Sequence, residues 1–282
     1  MIKIVVGFDG RRGGHDALAL GRRLGRMLDA ELFVICAYPF REGPAAQDGQ
    51  DFPAAGRTDA RARLEEARDV VGRAERPTFV AVPSSNPARA LHEVADGEGA
   101  QVIVVGVSER TAKGPRASST TWEVLRHAPC AVAVAPGGWR ESGRPLTRVG
   151  IAYDGKPEAR AALDAAVALL DQSRPPIGSV EVIHVAGSGG PEPVEPDDSS
   201  RRLAVLGPVG EVELQGDAAA ELVEHADGLD LLVVGSHDRG ALGRLLLGSV
   251  SRDVVARARI PVLVRPWSRS RIEGLARAAA FL

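Results

Sequence analysis

The chain has 282 residues, of which 44% are apolar and 26% are charged, and its formal net charge is −2 at pH 7. This length suits two domains of about 140 residues each, and the composition is that of a globular protein. The small net charge provides no basic surface for nucleic acid, and no run reaches the roughly 18 apolar residues of a transmembrane helix. We therefore expect neither nucleic acid nor a membrane as a partner. Residues 1–3 lead directly into a strand and not into a signal peptide, which predicts a cytoplasmic protein.

Apolar runs of strand length alternate with helical patterns through the first half of the chain. The predicted strands are residues 2–8, 31–38, 78–82, 102–106 and 131–135, and the predicted helices are residues 14–28, 59–73, 118–128 and a segment that starts at Pro87. Residues 39–55 and 107–117 are predicted to be loops, because they are rich in polar residues, glycine and proline. The alternation indicates right-handed βαβ crossovers and a mostly parallel, doubly wound α/β sheet.

The same pattern restarts after residues 137–146, a glycine- and proline-containing segment that we interpret as a linker. Asp154-Gly155 repeats Asp9-Gly10 at a spacing of 145 residues, and Val234-Gly235 repeats Val105-Gly106 at a spacing of 129. The predicted strands of the second half are residues 148–153, 180–185, 209–214, 231–235 and 262–265, with helices at 218–226 and 250–258. We therefore predict a tandem duplication with domain 1 at residues 1–136, domain 2 at 147–266 and a C-terminal helix at 267–282.

Few side chains suggest reactive chemistry. Cys36 and Cys130 are the only cysteines, and their strands would place them about 14 Å apart, too far for a disulfide. The histidines show no metal-ligand spacing, so no metal site is predicted. No nucleophile with a nearby base can be assembled from the sequence, which leaves enzymatic activity unsupported.

The most informative stretch is residues 231–251, in which a buried strand ends at Gly235 and Gly248-Ser249 open a helix. The start of a helix presents unpaired N–H groups and the positive end of the helix dipole, so it can bind an anion such as phosphate. The alternative is that both glycines are only turn and cap residues.

Each half has Asp-Gly after its first strand, and Val-Val-Gly followed by serine near the end of the half. In this arrangement the chain resembles the universal stress protein family over residues 1–265. The resemblance implies two tandem five-stranded, parallel-sheet, doubly wound domains that are Rossmann-like and adenine nucleotide α hydrolase-like. It also implies ATP as the cofactor, with or without Mg²⁺. The nucleotide motif of the family, Gly-x2-Gly-x9-Gly-Ser/Thr, falls on Gly235, Asp238, Gly248 and Ser249. The full set that the resemblance places at the site is Ala152, Tyr153, Asp154, Val185, Gly235, Ser236, His237, Asp238, Arg239, Gly248, Ser249, Val250 and Ser251.

Asp238 departs from the motif, in which this position is a glycine. A carboxylate 4 Å from a phosphate charge costs about 4 kcal/mol at an effective dielectric of 20, unless it turns outward, binds Mg²⁺ or pairs with Arg239. In the first half Glu109 and Ser118 replace two glycines of the motif. The resemblance therefore predicts that domain 1 keeps the fold and has lost the ATP site.

Several candidate residues also have a purely structural interpretation. Asp154 would lie near the ribose and adenine, or cap the turn that follows its strand. Val185 would offer its backbone to adenine, or belong to the core, and His237 would approach a phosphate or face solvent. Ser249 and Ser251 would give hydroxyl groups to phosphate or cap the helix, and these two roles are compatible.

Strands 131–135 and 262–265 are expected to pair edge to edge, as the last strands of family members do, which would make the tandem chain an internal pseudo-dimer. Two chains could assemble further into a homodimer, and a protein partner is expected but not identified. Three functions follow as hypotheses. The first is a stress-response regulatory module that binds ATP or a related adenine nucleotide in domain 2, the second is a scaffold protein with both sites lost, and the third is a slow ATPase.

Overall fold

A computed structural model describes residues 1–39, 52–71, 77–111, 114–116, 118–174, 176–186, 203, 207–236 and 248–266. The candidate residues His237, Asp238 and Arg239 and the predicted helix at 267–282 lie outside the described residues.

Strands and helices alternate through both halves, as the sequence pattern predicts. The strands are β1 Lys3–Gly7, β2 Glu31–Tyr38, β3 Thr78–Pro83, β4 Val102–Gly106, β5 Ser108–Thr111, β6 Gly114–Arg116, β7 Ala131–Ala135, β8 Arg148–Ala152, β9 Ser179–Ala186, β10 Val209–Gln215, β11 Leu231–Gly235 and β12 Val262–Arg265. The α-helices are α1 Arg12–Leu28, α2 Phe52–Val71, α3 Pro87–Glu98, α4 Ser119–His127, α5 Pro157–Leu170, α6 Ala218–Ala226 and α7 Ser249–Arg257.

Two predicted loops were wrong in part. Helix α2 begins at Phe52, within the predicted loop 39–55. The helix tolerates Pro53 because a proline in the first turn loses no hydrogen bond there. The predicted polar loop 107–117 contains the antiparallel strands β5 and β6, which pair through their backbones. A polar hairpin has no hydrophobic alternation, so the sequence carried no signal for it. This hairpin reaches both halves of the chain, since β5 contacts α1 and β6 contacts α7.

The ten long strands form one sheet in the order β10-β9-β8-β11-β12-β7-β4-β1-β2-β3. Within each half the five strands are parallel and follow the same order, with the first strand between the second and the fourth. This order reverses direction at the first strand, so β8 and β11 border the topological switch point of domain 2. Two doubly wound five-stranded domains are therefore confirmed.

The two halves meet at an antiparallel pairing of β7 with β12. Val262 pairs with Val134 and Val264 with Val132, on either side of the central pair Leu263 and Ala133. The pairing is symmetric about that centre, so an approximate two-fold axis relates the halves. All these residues are buried, and the last strand of each domain covers the edge of the other. The predicted pairing is confirmed, and the repeat fits an intramolecular pseudo-dimer.

The segment between the domains packs tightly against α1. Trp139 is 2% exposed, and the guanidinium carbon of Arg23 lies 4.8 Å from the centre of its ring. The buried carboxylate of Asp16 accepts hydrogen bonds from the backbone N–H groups of Gly138, at 2.9 Å, and of Arg140, at 3.0 Å. The predicted linker is thus anchored by a charged side chain and an aromatic ring.

Replacing Asp16 with asparagine should destabilise the protein by about 2 kcal/mol. The amide supplies only one oxygen, so one of the two N–H donors would face an NH₂ group and lose a bond to a charged acceptor. Urea unfolding at pH 7 measures this loss. Asp59→Asn on the exposed face of α2 is the matched control and should change the free energy of unfolding by less than about 0.5 kcal/mol. An equal effect of both substitutions would contradict the anchoring role of Asp16.

Both cysteines are buried thiols without a disulfide, as predicted. Strands β1 and β4 separate Cys36 on β2 from Cys130, which precedes β7. Burial raises the pKa of the Cys36 thiol above its ordinary value, which keeps the thiol protonated and unreactive. Among the described residues, no helix has the length and apolar character needed to cross a membrane.

Candidate functional site

A cavity of about 430 Å³ lies at the carboxyl ends of β8, β9 and β11, where the strand order of domain 2 reverses. This is the place at which open parallel sheets bind ligands, and the volume lies in the range of small-molecule sites. Its walls are completed by α6 and by the first turns of α5 and α7. The lining residues are Ala152, Tyr153, Asp154, Lys156, Glu158, Ala159, Ile183, Val185, Ala218, Leu222, Val234, Gly235, Gly248, Ser249, Val250 and Ser251.

The cavity brings together most of the candidate residues. Those that line it are Ala152, Tyr153, Asp154, Val185, Gly235, Gly248, Ser249, Val250 and Ser251. Ser236 follows β11 but is not among the lining residues: it is 6% exposed, and its backbone N–H donates to the carbonyl of Arg265 at 3.1 Å. The remaining three candidates, His237 to Arg239, lie outside the described residues.

Gly235 has a packing reason to be glycine. A Cβ at this position would lie 2.6 Å from the carbonyl oxygen of Glu158 in the first turn of α5. In domain 1 the carbonyl of Gly13 approaches Gly106 in the same way. The close approach that the sequence indicates at Gly235 is therefore made by the protein's own helix, and this glycine is no evidence for a ligand.

The backbone angles of Gly248 do not require glycine. It precedes α7 with φ −58° and ψ 152°, a conformation that any residue adopts. Its counterpart in domain 1, Ser118, has φ −63° and ψ 161° and caps α4 by accepting a hydrogen bond from the N–H of Thr121 at 3.0 Å. Among the described residues, no side chain caps the start of α7, and no acidic residue lies in its first turn. The first residues of α7 line the cavity, so a ligand there could accept their N–H groups.

The hydroxyl groups on α7 differ in their availability. Ser251 is 3% exposed and donates to the carbonyl of Gly248 at 3.1 Å, so its hydroxyl secures the start of the helix. Ser249 is exposed at the cavity mouth. Of the two serines, Ser249 is the one placed to give its hydroxyl to a ligand.

Asp154 secures the turn between β8 and α5. One carboxylate oxygen accepts the backbone N–H of Lys156 at 3.2 Å, and the other lies 2.5 Å from the ammonium nitrogen of the same residue. Asp9 makes the corresponding backbone bond with Arg11 at 3.0 Å. The capping role is thus present in both halves. The carboxylate also lines the cavity, where it holds the ammonium group of Lys156.

The part of the cavity below the helix start is apolar. Ile183 and Val185 on β9, Val234 on β11 and Leu222 on α6 line it. The site therefore has an apolar region suited to a flat ring and a region with N–H donors and an ammonium group suited to an anion. This combination fits an amphipathic ligand with an aromatic group and a phosphate.

Sequence reasoning missed Lys156 and the wall from α6. Lys156 is one of only three lysines in a chain with many arginines, and it follows Asp154-Gly155 at the start of a helix. That position was a usable signal, because it lies beside the end of the first strand. The α6 residues Ala218 and Leu222 gave no signal of their own, since they read as ordinary core positions of an amphipathic helix.

Domain 1 differs from domain 2 at the equivalent helix start. The side chain of Ser118 accepts the N–H of Thr121 at 3.0 Å, so this donor is already used in domain 1. The hydroxyl of Thr121 donates to the carbonyl of Gly106 at 2.9 Å, and Val107 replaces Ser236. Leu91, the counterpart of Leu222, lies 3.0 Å from the position that a Cβ on Gly7 would take.

No group of three or more histidine, cysteine, aspartate or glutamate side chains that could hold a metal ion occurs in the described part of the chain. A catalytic nucleophile with a base is likewise not formed by the lining residues of the cavity.

Known proteins resemble this chain over nearly its whole length. A universal stress protein of Mycobacterium tuberculosis is 28% identical over an alignment of 304 positions including gaps. The alignment covers 93% of this chain and 94% of the relative. The crystal structure of a universal stress protein from Archaeoglobus fulgidus matches with a TM-score of 0.67 at 18% identity, and covers 94% of this chain and 98% of that chain. A universal stress protein solved in complex with cAMP covers 49% of this chain at 26% identity, with a TM-score of 0.39.

The repeat itself is also recognised. The model of the universal stress protein family matches residues 1–136 and again residues 145–266. Because both halves match, and because the relatives are universal stress proteins aligned over both halves, the chain belongs to the universal stress protein family as a tandem two-domain member.

Proposed function

We propose that domain 2 binds an adenine nucleotide, ATP with or without Mg²⁺, and that the tandem protein is a stress-response regulatory module. In this proposal domain 1 comprises residues 1–136 and domain 2 residues 147–266. The choice of an adenine nucleotide rests on the family and on its motif at Gly248 and Ser249. The binding site itself rests on the cavity.

The observation that carries the proposal is the start of α7, which no side chain of the described residues caps and which lines a 430 Å³ cavity. Phosphate would accept the first N–H groups of α7, where the helix dipole favours negative charge. The base would lie against Ile183, Val185 and Leu222. Lys156 would add a positive charge near the ribose or phosphates, while Asp154 orients it.

The same comparison supports one nucleotide site per chain. In domain 1 the side chain of Ser118 takes the place of a phosphate oxygen at the helix start, and Leu91 packs on Gly7. Titration calorimetry with ATP and Mg²⁺ should give a stoichiometry of one nucleotide per chain. A stoichiometry of two would overturn the loss of the first site, and no heat at millimolar ATP would overturn the proposal.

Replacing Asp238 with glycine should strengthen ATP binding, because it restores the family motif and removes a carboxylate from a position that the motif places near the phosphates. The expected gain is roughly tenfold in affinity, and it should be largest without Mg²⁺. Adenosine provides the control, since it carries no phosphate and its affinity should not change. Weaker ATP binding after the substitution would show that Asp238 assists the site, as a ligand of the metal ion would.

A scaffold role without a nucleotide is the alternative that a specific observation favours. The carboxylate of Asp154 is already engaged with Lys156 in the ligand-free turn, as Asp9 is with Arg11 in domain 1. In that case no nucleotide would bind, and both domains would serve protein contacts alone. No specific observation favours slow hydrolysis of ATP.

A further inference from the structure

The part of the chain that joins the two domains carries positive charge on its exposed side. From the end of β7 to the first residue of β8 it contains three arginines, Arg140, Arg144 and Arg148, and one carboxylate, Glu141, although the net charge of the whole protein is −2. The side chains of these arginines are 34%, 37% and 50% exposed. Arg23 of α1 lies beside them, and we call these four arginines the arginine surface.

Backbone carbonyl groups hold three of these side chains in place. The guanidinium of Arg23 donates to the carbonyl of Arg144 at 2.8 Å, and that of Arg140 donates to the carbonyl of Arg12 at 3.3 Å. The guanidinium of Arg144 donates to the carbonyl of Leu229 at 3.1 Å. A carbonyl fixes a guanidinium without neutralising its charge, and a fixed side chain loses less conformational entropy when a partner binds. The positive charges are therefore held in defined positions.

Two buried carboxylates lie behind the arginine surface. Asp16 lies 3.9 Å from Arg140, and Asp230 lies 3.6 Å from Arg144 and 3.5 Å from Arg148. The side chains of both aspartates are at most 3% exposed, and both accept hydrogen bonds from backbone N–H groups of the linker. The guanidinium groups are thus the exposed members of these pairs, and a partner in solution meets the arginines and not the carboxylates.

Positive charge accumulates at Arg23 although the fold does not require it. Burial and the charge of neighbouring Arg26 lower the pKa of Arg23 below its ordinary value. The effect of Arg26 shows that positive charges repel one another on this face. The repeat spacing of 145 residues maps Arg23 onto Ala168, so the same helix in domain 2 forms without an arginine at this position.

We propose that the arginine surface binds a short acidic segment of a partner protein. Each guanidinium presents a planar pair of N–H donors that matches a carboxylate. Asp16, behind Arg140, and Arg23, beside Arg144, lie on α1 at positions that are about 10 Å apart along the helix axis. A single small anion cannot span that distance, whereas an extended segment of about four residues can. A long polyanion such as nucleic acid would also meet the net negative charge of the rest of the protein.

Fluorescence anisotropy with a fluorescein-labelled hexaglutamate peptide tests the proposal. We expect the peptide to bind at about 50 mM salt, and its affinity to fall as the salt concentration rises. Arg140→Gln and Arg148→Gln should each weaken binding by about threefold, and the double substitution by about tenfold. Arg148→Lys keeps the charge and should weaken binding less than Arg148→Gln. Arg89→Gln, at a position of α3 whose side chain is 74% exposed, is the matched control and should leave the affinity unchanged.

Chemical modification of the wild-type protein gives a readout that needs no substitution. Bound hexaglutamate should slow the reaction of phenylglyoxal with Arg140, Arg144 and Arg148 by roughly threefold, measured by mass spectrometry of the digested protein, and should leave Arg89 unaffected. Absence of binding at millimolar peptide, an equal loss of affinity in Arg89→Gln, or equal protection of Arg89 would overturn the proposal. Tighter binding of a hexathymidine oligonucleotide than of the peptide would assign the surface to nucleic acid, and would equally overturn it.

Discussion

Replacing Gly248 with serine should abolish most nucleotide binding while domain 2 remains folded. Ser118 adopts nearly the same backbone angles at the equivalent position, so the substitution introduces no strain. The new hydroxyl would accept the N–H of Ser251, as Ser118 accepts the N–H of Thr121, and would thus occupy a donor that a phosphate needs. Loss of one hydrogen bond to a charged group corresponds to roughly a 10- to 100-fold weaker affinity. Titration calorimetry with ATP and Mg²⁺ measures the loss.

The stability of the Gly248→Ser variant separates binding from folding. Serine is a good N-cap, so the free energy of unfolding should stay the same or rise by a few tenths of a kcal/mol. Ser118→Gly is the reciprocal control, and it should leave the affinity for ATP unchanged because the proposed site lies in domain 2. If Gly248→Ser bound ATP as well as the unmodified protein, the glycine would be only a cap and the phosphates would lie elsewhere.

The fold was largely predictable because its determinants are local and repeated. Buried strands of five apolar residues, such as residues 102–106 and 231–235, can be recognised without their neighbours, and the repeat of Asp-Gly and Val-Val-Gly fixed their order. The pairing of β7 with β12 was expected from the family resemblance, in which last strands pair, and it covers two strand edges. The hairpin of β5 and β6 could not be predicted, because backbone pairing between polar residues leaves no periodic pattern.

A residue of the candidate site could be predicted from the sequence only where its residue type pointed to a single physical role. Gly235 correctly marked a wall of the cavity, but the group that approaches its backbone is a helix carbonyl and not a ligand. Gly248 is more informative, but only the backbone angles of Gly248 and Ser118 show that the fold does not require glycine there. Lys156 and Leu222 belong to the site through the arrangement of β8, α5 and α6, which no single stretch of sequence encodes.

Replacing Asp230 with asparagine should destabilise domain 2 by about 2 kcal/mol at pH 7, with a smaller loss in acid. Asp230 is 2% exposed, and one of its oxygens accepts the backbone N–H groups of Thr147 and Arg148, at 3.1 and 2.9 Å. The other oxygen lies 3.6 Å from the guanidinium of Arg144 and 3.5 Å from that of Arg148. The carboxylate therefore ties the end of the linker to the start of β8, and the amide loses its charge-assisted bonds.

The pH dependence follows from the direction of the shift. Burial acts to raise the pKa of Asp230, but the hydrogen bonds from Arg148 and Thr147 outweigh it, and the pKa lies below its ordinary value of 3.8. A lowered carboxyl pKa stabilises the fold above the unfolded-state value, and this contribution is lost as the pH falls through the folded-state value. The difference in the free energy of unfolding between the unmodified protein and Asp230→Asn should thus be constant from pH 7 to about 5 and shrink below about pH 4. Urea unfolding across this range measures it.

Domain 1 provides the internal comparison for this acid sensitivity. At the position equivalent to Asp230 it has Gln101, whose amide oxygen accepts the backbone N–H of Lys3 at 2.8 Å. An amide makes this contact without a titrating group, so this hydrogen bond at the start of β1 should not weaken in acid as the bonds of Asp230 do. Asp227→Asn is the control within domain 2, because Asp227 is exposed and pairs with the guanidinium of Arg259, at 3.8 Å. Loss of this exposed ion pair should cost less than about 1 kcal/mol. Equal gaps for Asp230→Asn at pH 7 and pH 3.5 would show that the neutral acid holds the linker as well as the carboxylate does.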